Sequence, residues 1–237
     1  MMKNNYEFDN GDNPFALSIG DIMAALLLVF VLILSSILLE LEETKEKQNF
    51  IIAEYNDLKK EIYERLENEF RGNFNDWGAE LDSTDLTIRF NEPDILFSIG
   101  SATLKPRFES ILSDFFPRYI KVLNSEDFAE SIEEIRIEGH TSSEWIENVS
   151  DDYAYFENMK LSQDRTRSTL EFSLNQLMDE NVKDWTRFLI TANGLSSSQL
   201  LYNERGLEDK EASRRVEFKI RTDAEERIEK LLRSINE

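Results

Sequence analysis

From Ala16 to Leu39 the chain carries a single charged residue, Asp21, in a run otherwise made of apolar and small side chains. About 24 residues rising 1.5 Å each make roughly 36 Å of helix, enough to cross a hydrocarbon core of about 30 Å with some tilt. A cleavable signal peptide would show a basic start, a shorter apolar core and a small-residue cleavage site. Here the preceding "MMKNNYEFDNGDNPF" is acidic, and the exit "SSILLELEE" is a poor cleavage site. Residues 16–39 therefore read as a retained membrane span behind a tail over residues 1–15.

Asp21 admits two readings. If the helix starts at Ser18, that serine is the N-cap and Asp21 sits in the first turn, facing the positive end of the helix dipole. If it starts near Pro14 or Phe15, Asp21 lies within the membrane. An aspartate there costs a few kcal/mol on insertion scales and usually serves a function, such as holding and releasing a proton. Periodicity alone does not separate the two. The flanks also leave orientation open. Only Lys3 precedes the span, whereas Lys45, Lys47, Lys59 and Lys60 follow it, so the positive-inside rule weakly favours a cytoplasmic C-terminal part.

The formal net charge of -21 argues against a nucleic-acid surface, which needs clustered Lys and Arg to neutralise phosphates. With no cysteine there is no disulfide, no thiolate metal site and no lipid anchor on an N-terminal cysteine. After the span, Ile51, Tyr55, Leu58, Ile62, Leu66 and Phe70 recur at spacings of three and four, one apolar stripe on a helix. The stripe covers only about three heptads. Residues 40–80 thus read as a helical stalk that leans on the next domain, pairs in a parallel dimer, or stays solvated.

From about Leu81 strands and helices alternate. "DLTIRFNEPDILF" suggests a strand or hairpin, and "SATLKPRFESILSDFFPRYIKVL" a helix interrupted late by Pro117. "IEEIRIEGHTS" is a strand entering a loop. "NMKLSQDRTRSTLEFSLNQLM" is an amphipathic helix with Leu161, Leu170, Leu174 and Leu177 near one face. "TRFLITANGLSSSQLL" gives a strand and turn, and "SRRVEFKIRT" a last strand. An α+β sandwich with helices on one sheet face follows, over residues 81–222, with a helical tail at 223–237.

The segments "LFSIGSATLKP", "IRIEGHTS", "NMKLSQDRTRSTLEF", "ANG" and "SRRVEFKI" resemble, in order and spacing, the OmpA-like peptidoglycan-binding domain. In that family an Asn and an Arg on the second helix, with an Asp in a GHTD loop, hold the diaminopimelate of the peptide stem. The resemblance assigns Asn158 and Arg165 to those roles and Leu161 to packing between them. The loop departs from the family: Ser142 stands where the aspartate would be. Arg165 can pair bidentately with a carboxylate, but Ser142 supplies no charge for an ammonium. Glu144, Asp151 or Asp152 are candidate substitutes. Arg165 could also be a structural cation partnering Asp164 or the loop, with Arg214 and Arg215 stabilising the strand end. His140 reads as a packed loop residue. No metal site, nucleophile–His–acid set, P-loop or GxGxxG is evident, so no enzyme and no cofactor are expected.

A membrane helix with an early acid, a helical linker and an OmpA-like domain together resemble the MotB-like B-subunits of ion-driven stators. Within them, the Pro-Phe and Ser before the acid and the acidic tail resemble the Zorya antiphage type more than the flagellar type. The resemblance implies a homodimer inside a pentameric MotA/ZorA-like membrane subunit, with Asp21 carrying H+ or Na+ and the OmpA-like domain anchored to peptidoglycan. It implies a single-pass protein of the bacterial inner membrane, its N-terminus cytoplasmic and its C-terminal domain periplasmic, touching lipid but not nucleic acid. A flagellar-type stator subunit and a passive peptidoglycan tether are the alternatives.

Overall fold

Three side chains one turn apart, Ile62, Leu66 and Phe70, lose all contact with solvent, and the C-terminal part of the chain builds its core around them. The computed structural model describes residues 14–91, 93–98, 100–145 and 149–223. The expected tail before residue 14, the Ser18 side chain as a cap, and the expected helical tail beyond residue 223 lie outside what is described. The chain divides into two units, Met1–Phe50 and Ile51–Glu237.

In the first unit, α1 (Pro14–Phe70) carries the apolar run. Among the described residues it is the one helix long and apolar enough to cross a membrane. Its side chains there, Leu26, Leu27 and Phe30 among them, are exposed, unlike those of a soluble core helix. Asp21 follows Pro14 by seven residues and is not in the first turn, which holds no acid.

The second unit contains the last turns of α1, then α2 (Phe74–Trp77), β1 (Ala79–Asp82), β2 (Thr87–Phe90), α3 (Pro93–Leu96), α4 (Pro106–Leu123) and β3 (Ile132–Gly139). It continues with α5 (Asp151–Asn175), α6 (Glu180–Leu189), β4 (Ile190–Gly194), α7 (Lys210–Ser213) and β5 (Val216–Thr222). The sheet order is β1-β2-β5-β3-β4, antiparallel except for the β3–β4 pair. The class is α+β.

Strand alternation sorts the two faces. Ile88, Phe90, Ile135, Ile137, Val216, Phe218 and Ile220 turn into the core. There the Phe115 ring meets Phe70, Trp77, Phe90, Tyr119 and Phe218, with ring centres 5.0 to 6.0 Å apart. The other face is charged: Arg89 bonds Glu217 and Glu80, Arg136 bonds Glu134, and Arg221 bonds Glu134. Arg118 of α4 ties the end of α1 down. It donates to the Glu69 carboxylate and carbonyl, each at 2.7 Å, and lies over the Phe70 ring.

Three local expectations are corrected. The hairpin begins earlier than anticipated, with Ala79–Asp82 pairing with Thr87–Phe90, and Pro93–Leu96 is a helical turn rather than strand. Pro117 does not interrupt α4, which runs on to Leu123. A proline inside a helix costs about 3 kcal/mol, but Tyr119, Ile120 and Leu123 beyond it are fully buried, at about 1.5–3 kcal/mol each. Finally, the leucines of this segment are only part of what α5 turns inward: Leu170 and Leu174 pack against the core and Leu177, just past the helix end, is buried in it, but the fully buried positions of α5 are small or polar. Its inner face is Ala154, Asn158, Ser162, Thr166, Thr169 and Ser173, while Leu161, Leu170 and Leu174 are half-buried.

That face is small because the helix lies almost on the strands. A Cβ added at Gly139 would fall 2.7 Å from Thr166 Cγ2, and one at Gly194 would fall 2.3 Å from the Gln163 backbone nitrogen. Three of the hydroxyls return to the helix itself, with Ser162 donating to the Met159 carbonyl, Thr166 to that of Ser162 and Thr169 to that of Arg165, whereas the Ser173 hydroxyl is buried without a partner.

Candidate functional site

Asn158, on the inner face of α5, is 2% exposed. Its Nδ2 group donates to the carbonyls of Ser142 at 3.2 Å and Glu144 at 3.1 Å. Both acceptors belong to the loop leaving β3, where the Thr141 amide also bonds the Ser196 carbonyl. The structure thus brings Asn158 and Ser142 together, through the Ser142 main chain. The amide donors of Asn158 are engaged by the loop they hold.

Two turns along the same helix, Arg165 faces the segment between α3 and α4. Its Nε donates to the Ser101 carbonyl at 2.9 Å and its Nη2 to that of Ser98 at 3.3 Å. The guanidinium stacks 4.9 Å from the centre of the Phe97 ring. Neither Asp164 nor any other carboxylate among the described residues pairs with it. Burial, with Arg214 nearby, pulls its pKa down to about 10. The cation is held by neutral groups and its charge is left uncompensated. Leu161 lies between Asn158 and Arg165 at helical spacing. The gap beside Arg165, of only about 10 Å³, is lined by Leu96, Phe97, His140 and Arg214.

The candidate replacements for the missing loop acid fare differently. Glu144 pairs with Lys210 at 2.9 Å. Asp151 and Asp152 are exposed in the first turn of α5, which Ser150 caps. A carboxylate absent from the expectations, that of Glu208, sits on the loop instead. It accepts from the Ser143 amide at 2.9 Å and from the Ser143 hydroxyl at 2.5 Å. Nothing local marks Glu208, since the contact joins residues 65 apart in sequence.

No protein-family model matches the chain. It is 41% identical over 221 residues to the Zorya protein ZorB of Escherichia coli, covering 93% of each chain. The chain belongs to the ZorB family. It is also similar in fold to a MotB-like protein from Desulfovibrio vulgaris, at 21% identity and a TM-score of 0.49. That match covers 72% of this chain and 98% of the other. A second solved structure, the cell wall anchor of the type VI secretion system from Pseudomonas aeruginosa, aligns at 18% identity and a TM-score of 0.45. It covers 66% of this chain and 96% of its own.

His140 of this ZorB-family chain is 2% exposed, and its Nε2 lies 3.5 Å from Glu217 Oε2 and 3.7 Å from Glu138 Oε2. These three side chains are the one group among the described residues whose ligand atoms lie close enough for a metal ion. Arginines already hold both carboxylates: Arg89 at 2.7 Å and Arg215 at 2.6 Å on Glu217, and Arg136 at 3.3 Å on Glu138. Burial pushes the Glu217 carboxyl up, but the facing His140 ring, Arg89 and Arg215 together hold it well below the usual carboxylate range. The cluster ties β2, β5 and β3 together on the charged sheet face. Arg215 serves the strand end, bonding the carbonyls of Gln199 and Ser213, whereas Arg214 pairs with no carboxylate among the described residues.

Proposed function

We propose that the chain is the B-subunit of an ion-driven rotary motor of the inner membrane that acts in antiphage defence and is anchored to peptidoglycan. What carries the reading is membership of the ZorB family together with an acid beyond the first turn of the long apolar helix α1. Two copies pair their α1 helices inside a pentameric MotA/ZorA-like subunit, with the N-terminus cytoplasmic and the C-terminal unit periplasmic. Asp21 of each copy accepts and releases H+ or Na+. Each neutralisation removes the penalty of a charge in an apolar setting and so biases the ring to step.

The second unit holds the dimer still against the cell wall. The uncompensated guanidinium of Arg165, fixed by two carbonyls and the Phe97 ring, meets a carboxylate of the peptide stem. Asn158 shapes the loop beside it, and Leu161 packs between the two.

Two experiments test the reading. In a phage-challenge assay, Asp21→Asn abolishes protection at wild-type membrane abundance; full protection would reduce the protein to a passive tether. In sedimentation with purified sacculi, Arg165→Ala lowers retention of the full-length protein, and equal retention would remove Arg165 from the wall contact.

A further inference from the structure

We propose that Glu138, His140 and Glu217 form a site for one divalent transition-metal ion of the zinc class, set where the end of β3 meets β5. His140 is 2% exposed, and neither of its ring nitrogens has a hydrogen-bond partner among the described residues. Buried polar atoms are ordinarily matched, so this ring calls for a partner. Its Nε2 faces two carboxylates at once, 3.5 Å from Glu217 Oε2 and 3.7 Å from Glu138 Oε2. The arginines leave those two oxygens alone. Arg89 and Arg215 both donate to Glu217 Oε1, at 2.7 and 2.6 Å, and Arg136 donates to Glu138 Oε1 at 3.3 Å. They fix each carboxylate with its other oxygen toward the ring, the part that outer hydrogen bonds play around bound metals.

The spacing fits an ion. One ligand atom from each residue lies within 4.8 Å of the other two. An ion between three atoms so placed sits roughly 2.1–2.4 Å from each, and zinc takes imidazole nitrogen and carboxylate oxygen at about 2.0–2.2 Å. A small inward movement of the carboxylates closes the difference. One imidazole with two carboxylates suits zinc and its neighbours, whereas calcium and magnesium ask for about six or more oxygen ligands. Charge points the same way. The ion pairs that run from Glu133 and Glu134 through Glu138 and Glu217 to Glu80 and Asp82 join six carboxylates to four arginines. With His140 neutral, a dication offsets that difference. The bound ion fastens β3 to β5 at the point where the chain leaves for the loop of residues 141–143, a point the His140 amide already ties to the Arg215 carbonyl.

His140 is the single histidine of the chain, so histidine labelled in its ring nitrogens reports on this ring alone by magnetic resonance. Full-length protein without a polyhistidine tag is purified in detergent, stripped with a chelator and titrated with Zn2+, with Mg2+ as the control. A parallel sample is grown and purified with zinc present, so that a buried site fills during folding. In the zinc samples the Nε2 resonance moves to the range of a metal-bound nitrogen, and Mg2+ moves neither ring signal. The thermal unfolding midpoint rises by several degrees with Zn2+, and His140→Gln loses that rise. An Nε2 resonance that zinc leaves unmoved in both samples overturns the proposal, whatever metal the acidic surface collects. Two protonated ring nitrogens throughout also overturn it, since the imidazolium itself is then the cation between the carboxylates. So does an equal rise in His140→Gln. If that variant does not fold, the ring resonances of the wild type decide alone.

Discussion

Replacing Asn158 by alanine separates a residue that touches ligand from one that positions the loop. The buried amide gives up two hydrogen bonds, to the carbonyls of Ser142 and Glu144. A net hydrogen bond contributes about 0.5–1.5 kcal/mol, and a buried acceptor left unmatched costs about 1–3 kcal/mol. Ser142 is 4% exposed, so water replaces the lost donor poorly at that carbonyl. The expected cost is about 2–4 kcal/mol, concentrated in the loop after β3. Amide hydrogen exchange at Ser143, whose N–H is held by Glu208, reads it directly. A cost of about 2 kcal/mol carried as local opening speeds exchange by about 30-fold, while amides of β5 keep their protection. Peptidoglycan retention falls with it, because the loop carries one wall of the cleft. Unchanged exchange at Ser143 would refute the clamp. Retention lost without any change in exchange would refute the positioning role and make Asn158 a direct contact.

Two further outcomes follow from the packing and the charges. The folded state holds the Glu217 carboxyl below its ordinary value of 4.5, so the unfolded chain binds more protons there. Its stabilising contribution is complete above that value and declines as pH falls below it, and urea unfolding of Glu217→Gln shows a shallower acid limb than wild type. At Gly194 a new Cβ would meet helix backbone at 2.3 Å, so Gly194→Ala costs about 1–3 kcal/mol or more in thermal unfolding, whereas Gly72→Ala, with nothing within 4 Å, stays within about 0.5 kcal/mol.

What the sequence made legible were the features with a local period. The Ile62, Leu66 and Phe70 stripe and the alternation of Val216, Phe218 and Ile220 both mark buried faces. Arg165, assigned by resemblance to a motif, is held by two carbonyls and the Phe97 ring, with no carboxylate paired to it among the described residues. The inner face of α5 escaped because burial there follows from close approach. Where a strand presents glycine, serine and threonine pack more tightly than leucine, and the Thr166 and Thr169 hydroxyls return to the helix carbonyls. Pro117 misled for a related reason, since a propensity cost of a few kcal/mol is outweighed by side chains whose burial is decided by distant elements. Glu208 carries no local signal, because its contact with Ser143 exists only once the hairpin meets the loop after β3.

The way α1 ends has a mechanical consequence. Ile62, Leu66 and Phe70 are keystones of the second unit, and Arg118, Arg65 and Lys59 rivet the helix to α4, to Asp127 and to the Thr84 carbonyl. A load arriving at residue 51 is therefore resisted in shear by interlocked rings and charged forks acting side by side. Links loaded in parallel must fail together, whereas links loaded in series peel one at a time. The end of α1 is built to the first plan, with the aromatic cluster around Phe115 at its centre.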